Sequence, residues 1–244
     1  MRYIILMLLA FFSIGVGAAE TFASPIGRDT SDCLSASTAC TIQRAYDANL
    51  SGQVTLADGT YPGVNTLYYK IVHFKGNCAN AANVVIGGNV SFQVQDQAIT
   101  TMDCLTISGS SIGIMCRQGG IVDVNNSRFV GNAGTVFMAA NEHCTKINAF
   151  NITLLGNVAM VAAATDQSQI HIGGTITIPS PMTAYTAFAY ATDQSLIAAS
   201  GAVVVNGPNM YGQQYLSQCS LLRAPSGGFP GRISGVIKAC AEIQ

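Results

Sequence analysis

Residues 166–178, DQSQIHIGGTITI, recur 27 residues later as residues 193–205, DQSLIAASGAVVV. Each copy is a polar turn, a short apolar strand, a small-residue turn and a second strand. Weaker copies lie upstream over residues 147–154, 122–129 and 99–107, spaced by about 22 to 27 residues, the period of a coil built from short strands. An alternating segment precedes each polar turn: Val90-x-Phe92-x-Val94, Ile112-x-Ile114, Val136-x-Met138, Ala159-x-Val161-x-Ala163 and Ala187-x-Ala189-x-Ala191. Alternation sends successive side chains to opposite faces of a strand. Three short strands per repeat predict an all-β parallel β-helix of about six coils, each stacked ~4.8 Å on the last, a rod about 30 Å long. One coil cannot bury its inward face alone, so stability must come from the stack. In the coil after Arg117 the register must slip by one, so that Val122 and Val124 face inward in place of Asp123.

Open strand edges invite aggregation, so the ends need covers. Residues 41–48 read as a short amphipathic capping helix with Thr41 as its N-cap. It would close a first coil that starts at residues 54–61. Past Asn206 the repeat fades, and residues 207–244, with Pro208, Pro225 and Pro230, read as an irregular C-terminal cap. At the other end Arg2, the apolar run from Ile4 to Val16 and the small residues Gly17-Ala18-Ala19 read as an export signal. That run is short of the roughly 20 residues of a membrane span. The expected organisation is a signal peptide at 1–19, an N-terminal segment with the capping helix at 20–53, the β-helix at 54–206 and the cap at 207–244. The mature chain is expected to have no membrane span and to be secreted, periplasmic or on the cell surface.

Composition removes other classes. Eleven Lys and Arg against twelve Asp and Glu give a net charge of −1, which leaves no basic footprint for nucleic acid. With 49% hydrophobic and 9% charged residues, the chain also lacks the signature of disorder. All eight cysteines follow the leader, and an even count in an exported chain reads as disulfides. No CxxC pair occurs and His73, His143 and His171 are scattered, so no metal site is expected. The repeat suggests that neighbours pair in order: Cys33 with Cys40, Cys78 with Cys104, Cys116 with Cys144, and Cys219 with Cys240. Spacing alone leaves other pairings open.

The segments Ala23-Ser24-Pro25-Ile26-Gly27-Arg28-Asp29, Asp32-Cys33-Leu34-Ser35, Cys40-Thr41-Ile42-Gln43-Arg44-Ala45 and Ala57-Asp58-Gly59-Thr60-Tyr61 resemble the N-terminal part of right-handed parallel β-helix proteins. These belong to the pectin-lyase-like superfamily, here of an exported bacterial type. The resemblance covers most of the mature chain and implies a right-handed winding. It specifies fold better than chemistry. The vicinal aspartates of pectate lyases are missing, as are the Asn-Thr-Asp, Asp-Asp and Gly-His-Gly motifs of polygalacturonases. Gln95-Asp96-Gln97 is only a faint echo of a pectin methylesterase motif.

Counting four residues back from the lead isoleucine of each coil gives Gln95, Arg117, His143, Asp166 and Asp193. Such a row can grip a polysaccharide through sugar hydroxyls, or it can be a turn ladder that satisfies backbone N–H groups. Glu142 and His143 beside Asp166 are the nearest approach to an acid/base cluster, since glycoside chemistry usually needs two carboxyls roughly 5–9.5 Å apart. Tyr185, Tyr190, Tyr211 and Tyr215 offer stacking faces for sugars, with Tyr190 in the alignment of Phe92 and Ile114 and therefore partly core. His73 and His171 read as structural or simply exposed. Thr175 and Thr177 hint at an ice-binding row that neighbouring coils do not repeat. Asn49, Asn89, Asn125 and Asn151 head glycosylation sequons, which matter only where the source glycosylates.

The expectation is a secreted, non-catalytic surface or carbohydrate-contact protein, with polysaccharide as partner and no cofactor. The alternatives are a lyase or glycoside hydrolase acting on acidic polysaccharide through Glu142, His143 and Asp166, and a structural adhesin or appendage module.

Overall fold

A computed structural model describes residues 19–67, 69–238 and 242–243. The expected leader lies almost wholly outside these residues, and so does Cys240. Among the described residues all strand pairing is parallel, and it forms three ladders stacked along a β-solenoid. Through the central windings the first ladder stacks Ile71–Lys75, Ile99–Asp103, Ile121–Asn125 and the leading halves of Lys146–Leu155 and Gln169–Thr177. The second stacks Val84–Ile86, Thr106–Ile107, Arg128–Val130 and the trailing halves of the same two long strands. The third stacks Val90–Val94, Ile112–Cys116, Val136–Ala140, Val158–Ala164 and Met182–Ala191.

The solenoid has about seven turns, one more than the repeat suggests. The extra turn comes from beyond Asn206, where Met210–Gly212 and Tyr215–Gln218 continue the third ladder and Leu221–Arg223 continues the first. Proline and glycine in this region interrupt the sequence pattern but only lengthen the connections. At ~4.8 Å per winding the rod is about 34 Å long.

Columns of apolar side chains fill the interior. Val72, Thr100, Val122, Ile147, Ile170, Ile197 and Leu222 lie in one register, and Phe74, Met102, Val124, Ala149 and Ile172 in the next; all are buried. Val122 and Val124 thus face inward, with Asp123 between them on the outer face. In the third ladder, strict alternation fails at one place in each winding. Ser91-Phe92, Gly113-Ile114, Phe137-Met138, Val161-Ala162 and Phe188-Ala189 are consecutive buried pairs, because the strand bends there and turns two neighbours inward. Beyond the bend Ala162 and Ala164 face the core, a correction to the alternation of Ala159, Val161 and Ala163.

The helix α1, Ile42–Ala48, packs against the first winding with Ile42, Ala45 and Tyr46 buried, and Thr41 Oγ1 accepts from the Arg44 N–H at 3.3 Å. Disulfides join Cys33 to Cys40, Cys78 to Cys104 and Cys116 to Cys144. The latter two each tie one winding to the next. A buried serine file continues from Cys144: its N–H donates to Ser168 Oγ at 3.0 Å, Ser168 N–H to Ser195 Oγ and Ser195 N–H to Ser220 Oγ, both at 3.2 Å. Among the described residues, no helix is long and apolar enough to cross a membrane.

Candidate functional site: a groove on the first ladder

The turn between the third and first ladders carries two successive left-handed residues in most windings: Asp96-Gln97, Gln118-Gly119, Glu142-His143, Asp166-Gln167 and Asp193-Gln194. This backbone splits the expected polar row into adjacent columns. Gln95 and Arg117 sit at the first turn position, Asp166 and Asp193 at the second, and His143 at the third. The cause is a one-residue offset: Ile99 and Ile121 pair with Lys146 on the outer face, whereas Ile147, Ile170 and Ile197 face inward. Counting back from isoleucine therefore mixes positions.

At these turns the side chains largely bond one another. Arg117 Nε donates to Gln95 Oε1 at 2.8 Å, and Arg117 Nη1 stands 3.6 Å from Glu142 Oε1. Asp166 Oδ2 accepts from the Thr165 hydroxyl at 3.0 Å and the Glu142 N–H at 3.3 Å, and Asp193 Oδ2 accepts from the Thr192 hydroxyl at 2.8 Å. Glu142, His143 and Asp166 are exposed on the wall of the rod. Tyr190 pairs with Ala163, in the column of Met115 and Gln93, so it faces outward rather than joining Phe92 and Ile114.

A groove of about 650 Å³ lies instead on the outer face of the first ladder, lined by Thr101, Asp123, Asn125, Asn148, Phe150, His171, Gly173, Gly174 and Ser200, among others. The register builds it. His73, Thr101, Asp123, Asn148, His171 and Ala198 form one outward column, and Asp103, Asn125, Phe150 and Gly173 the next. Asn148 Nδ2 donates to Asp123 Oδ1 at 2.6 Å, which fixes the carboxylate against the wall.

Of the two large apolar side chains in this lining, Ile172 is buried and Phe150 is 51% exposed. A register shift between Phe150 and Ile152 and a left-handed Asn151 turn the chain there. Asn151 is held by the turn file beneath it: Asn126 Nδ2 donates to Asp103 Oδ1 at 3.0 Å and Asn151 Nδ2 to Asn126 Oδ1 at 3.3 Å. The ring lies over the bare backbone of the next winding. A Cβ on Gly173 would fall 2.3 Å from Phe150 Cε2, so glycine is what admits the ring.

His73 and His171 share the outward column, and the Nε2 of each is buried without a hydrogen-bond partner. Burial is the main cause that lowers both imidazoles below the usual 6.5. Lys146 and Arg223 add to this at His171, while at His73 the opposing pull of Asp103 outweighs the push of Lys75. Both rings are therefore neutral at pH 7. The groove escapes sequence reasoning because its members come from successive windings and form no motif. The available signal was the outward position of each first-ladder strand.

Among the sequon asparagines, Asn49 is buried, donating to Thr21 Oγ1 and the Gln53 carbonyl, whereas Asn89 is exposed. The arrangement defines the class: a disulfide-tied parallel β-solenoid with a polar groove and one aromatic platform on a sheet face. Comparison with models of protein families, with curated proteins and with solved structures finds no match.

Proposed function

We propose that this is an exported, non-catalytic carbohydrate-contact protein that holds a polysaccharide along the groove of the first ladder. The observation that carries the reading is Phe150, an exposed ring in a groove whose lining also brings together the hydroxyls of Thr101 and Ser200, the amides of Asn125 and Asn148 and the Asp123 carboxylate. An aromatic face takes the apolar side of a pyranose, and convergent polar groups fix its hydroxyls. A groove open along the rod suits a chain ligand. Export is supported by the leader-like first 19 residues and by the disulfides, which persist in oxidising compartments. Kinship with the pectin-lyase-like superfamily is supported by the N-terminal segments together with the parallel solenoid.

The test is a glycan array followed by titration calorimetry with the best ligand. Wild type should bind a polysaccharide without releasing product, and Phe150→Ala should weaken binding by at least about tenfold, as loss of a buried aromatic anchor does. Release of reducing ends or unsaturated products, abolished by Glu142→Gln, would replace this reading with the lyase or hydrolase. Self-assembly without glycan affinity would replace it with a structural module.

A further inference from the structure

A second cleft, of about 530 Å³, opens on the third ladder near the C-terminal end of the rod, and Tyr185, Tyr211 and Arg232 are among the residues lining it. The three come from successive passes of the chain. Tyr185 is placed by a bulge: Ala184 pairs with Gly212 and Ala189 with Tyr215, so four residues of one winding oppose two of the next. The surplus falls at Tyr185 and Thr186, and Tyr185 is left 60% exposed. Bulges re-aim side chains in this way and are common beside functional sites. Tyr211 follows on the next winding, opposite Thr183. Its neighbour Gly212 has φ +100°, and a Cβ there would lie 2.0 Å from the Ala184 carbonyl oxygen, so only glycine allows the two windings to approach.

Arg232 is then brought over the tyrosine by its own backbone. The N–H groups of Arg232 and Ile233 both donate to the Gly212 carbonyl, at 3.1 and 3.0 Å. The guanidinium sits 3.9 Å from the centre of the Tyr211 ring, and Nη2 donates to the Pro208 carbonyl at 3.3 Å. A guanidinium has five N–H donors in a planar fork, and among the described residues no carboxylate ion pair to Arg232 occurs. An exposed arginine, pre-oriented by stacking and lacking an anion, beside a second exposed aromatic ring, has the charge and shape to receive an anionic ring.

We propose that this cleft binds an anionic saccharide: a pyranose whose apolar face rests on Tyr185 while its carboxylate or sulfate ester is taken by the fork of Arg232. Bidentate pairing with planar anions is what arginine does better than lysine. The site is separate from the Phe150 groove and does not depend on it.

The test uses the full disulfide-bonded mature chain, titrated with a uronic-acid trisaccharide, a sulfated trisaccharide and a neutral trisaccharide, and read by calorimetry and by amide shifts in NMR. Binding of at least one anionic probe is expected, with shifts centred on Gly212, Gln213 and Arg232. Whichever anionic probe binds identifies the source of the charge. Arg232→Gln and Tyr185→Ala should each weaken it by at least about tenfold, and Arg232→Lys should recover only part of the loss. Should Arg232→Gln fail to fold, Tyr185→Ala and the shift map still decide. Equal binding of the neutral probe at this cleft by the shift map, no binding of either anionic probe, shifts confined to other faces, or affinity unchanged in folded variants would overturn the proposal.

Discussion

Ser168 shows how a small side chain holds this architecture together. Its hydroxyl is buried and accepts the Cys144 N–H, while its own N–H is taken by Ser195. The Cys144 N–H also donates to the Asn141 carbonyl at 3.0 Å, so Ser168→Ala removes one of its two acceptors, at a cost of about 0.5–1.5 kcal/mol for one net hydrogen bond. Chemical denaturation of the variant should show a loss in that range; a change below about 0.5 kcal/mol would mean that the serine file is incidental. The two histidines make a second residue-scale prediction. Their folded pKa values lie below the unfolded 6.5, so below pH 6.5 the unfolded chain binds more protons and stability falls with pH. Thermal melts should be flat just above pH 6.5 and decline from there toward pH 5, before the carboxylates titrate. Replacing both His73 and His171 by Asn should flatten that decline; an unchanged profile would count against burial of the rings.

At the scale of the element, the Phe150 bulge and the glycine pair of the following winding form one device. Gly173→Ala puts a methyl group where the ring now lies, so the ring must move while the backbone, which has no left-handed angle at Gly173, can stay. Its effect on glycan binding should match that of Phe150→Ala, with an unchanged circular dichroism spectrum; full affinity would show that the ring position is irrelevant. Elements also mark the limit of what is legible in the chain. The period, the capping helix with Thr41 and the inward Val122 and Val124 can all be read from residues alone. The columns at the turns cannot, because Ile99 and Ile121 are apolar yet face outward, and one turn carries an extra residue ahead of Lys146. Strand bends at Phe137-Met138 and Phe188-Ala189 hide in the same way, since two consecutive inward residues look like a break in alternation. The groove members, His171 among them, look like isolated polar residues until the register stacks them.

For the whole molecule, stability and candidate sites rest on the same fact: residues 22 to 28 apart in the chain lie side by side in space. Each winding buries its inward face only against its neighbours, and each site is assembled from consecutive windings. The C-terminal passes, which the fading repeat assigns to an irregular cap, take part in this stacking and supply Arg232. Peptide mapping of the non-reduced protein by mass spectrometry tests the arrangement most directly, because two of the disulfides join successive windings. Linked peptides are expected for Cys78–Cys104 and Cys116–Cys144, together with the local Cys33–Cys40 link. A dominant Cys104–Cys116 or Cys78–Cys144 link would contradict the stacking register on which both proposed binding sites depend.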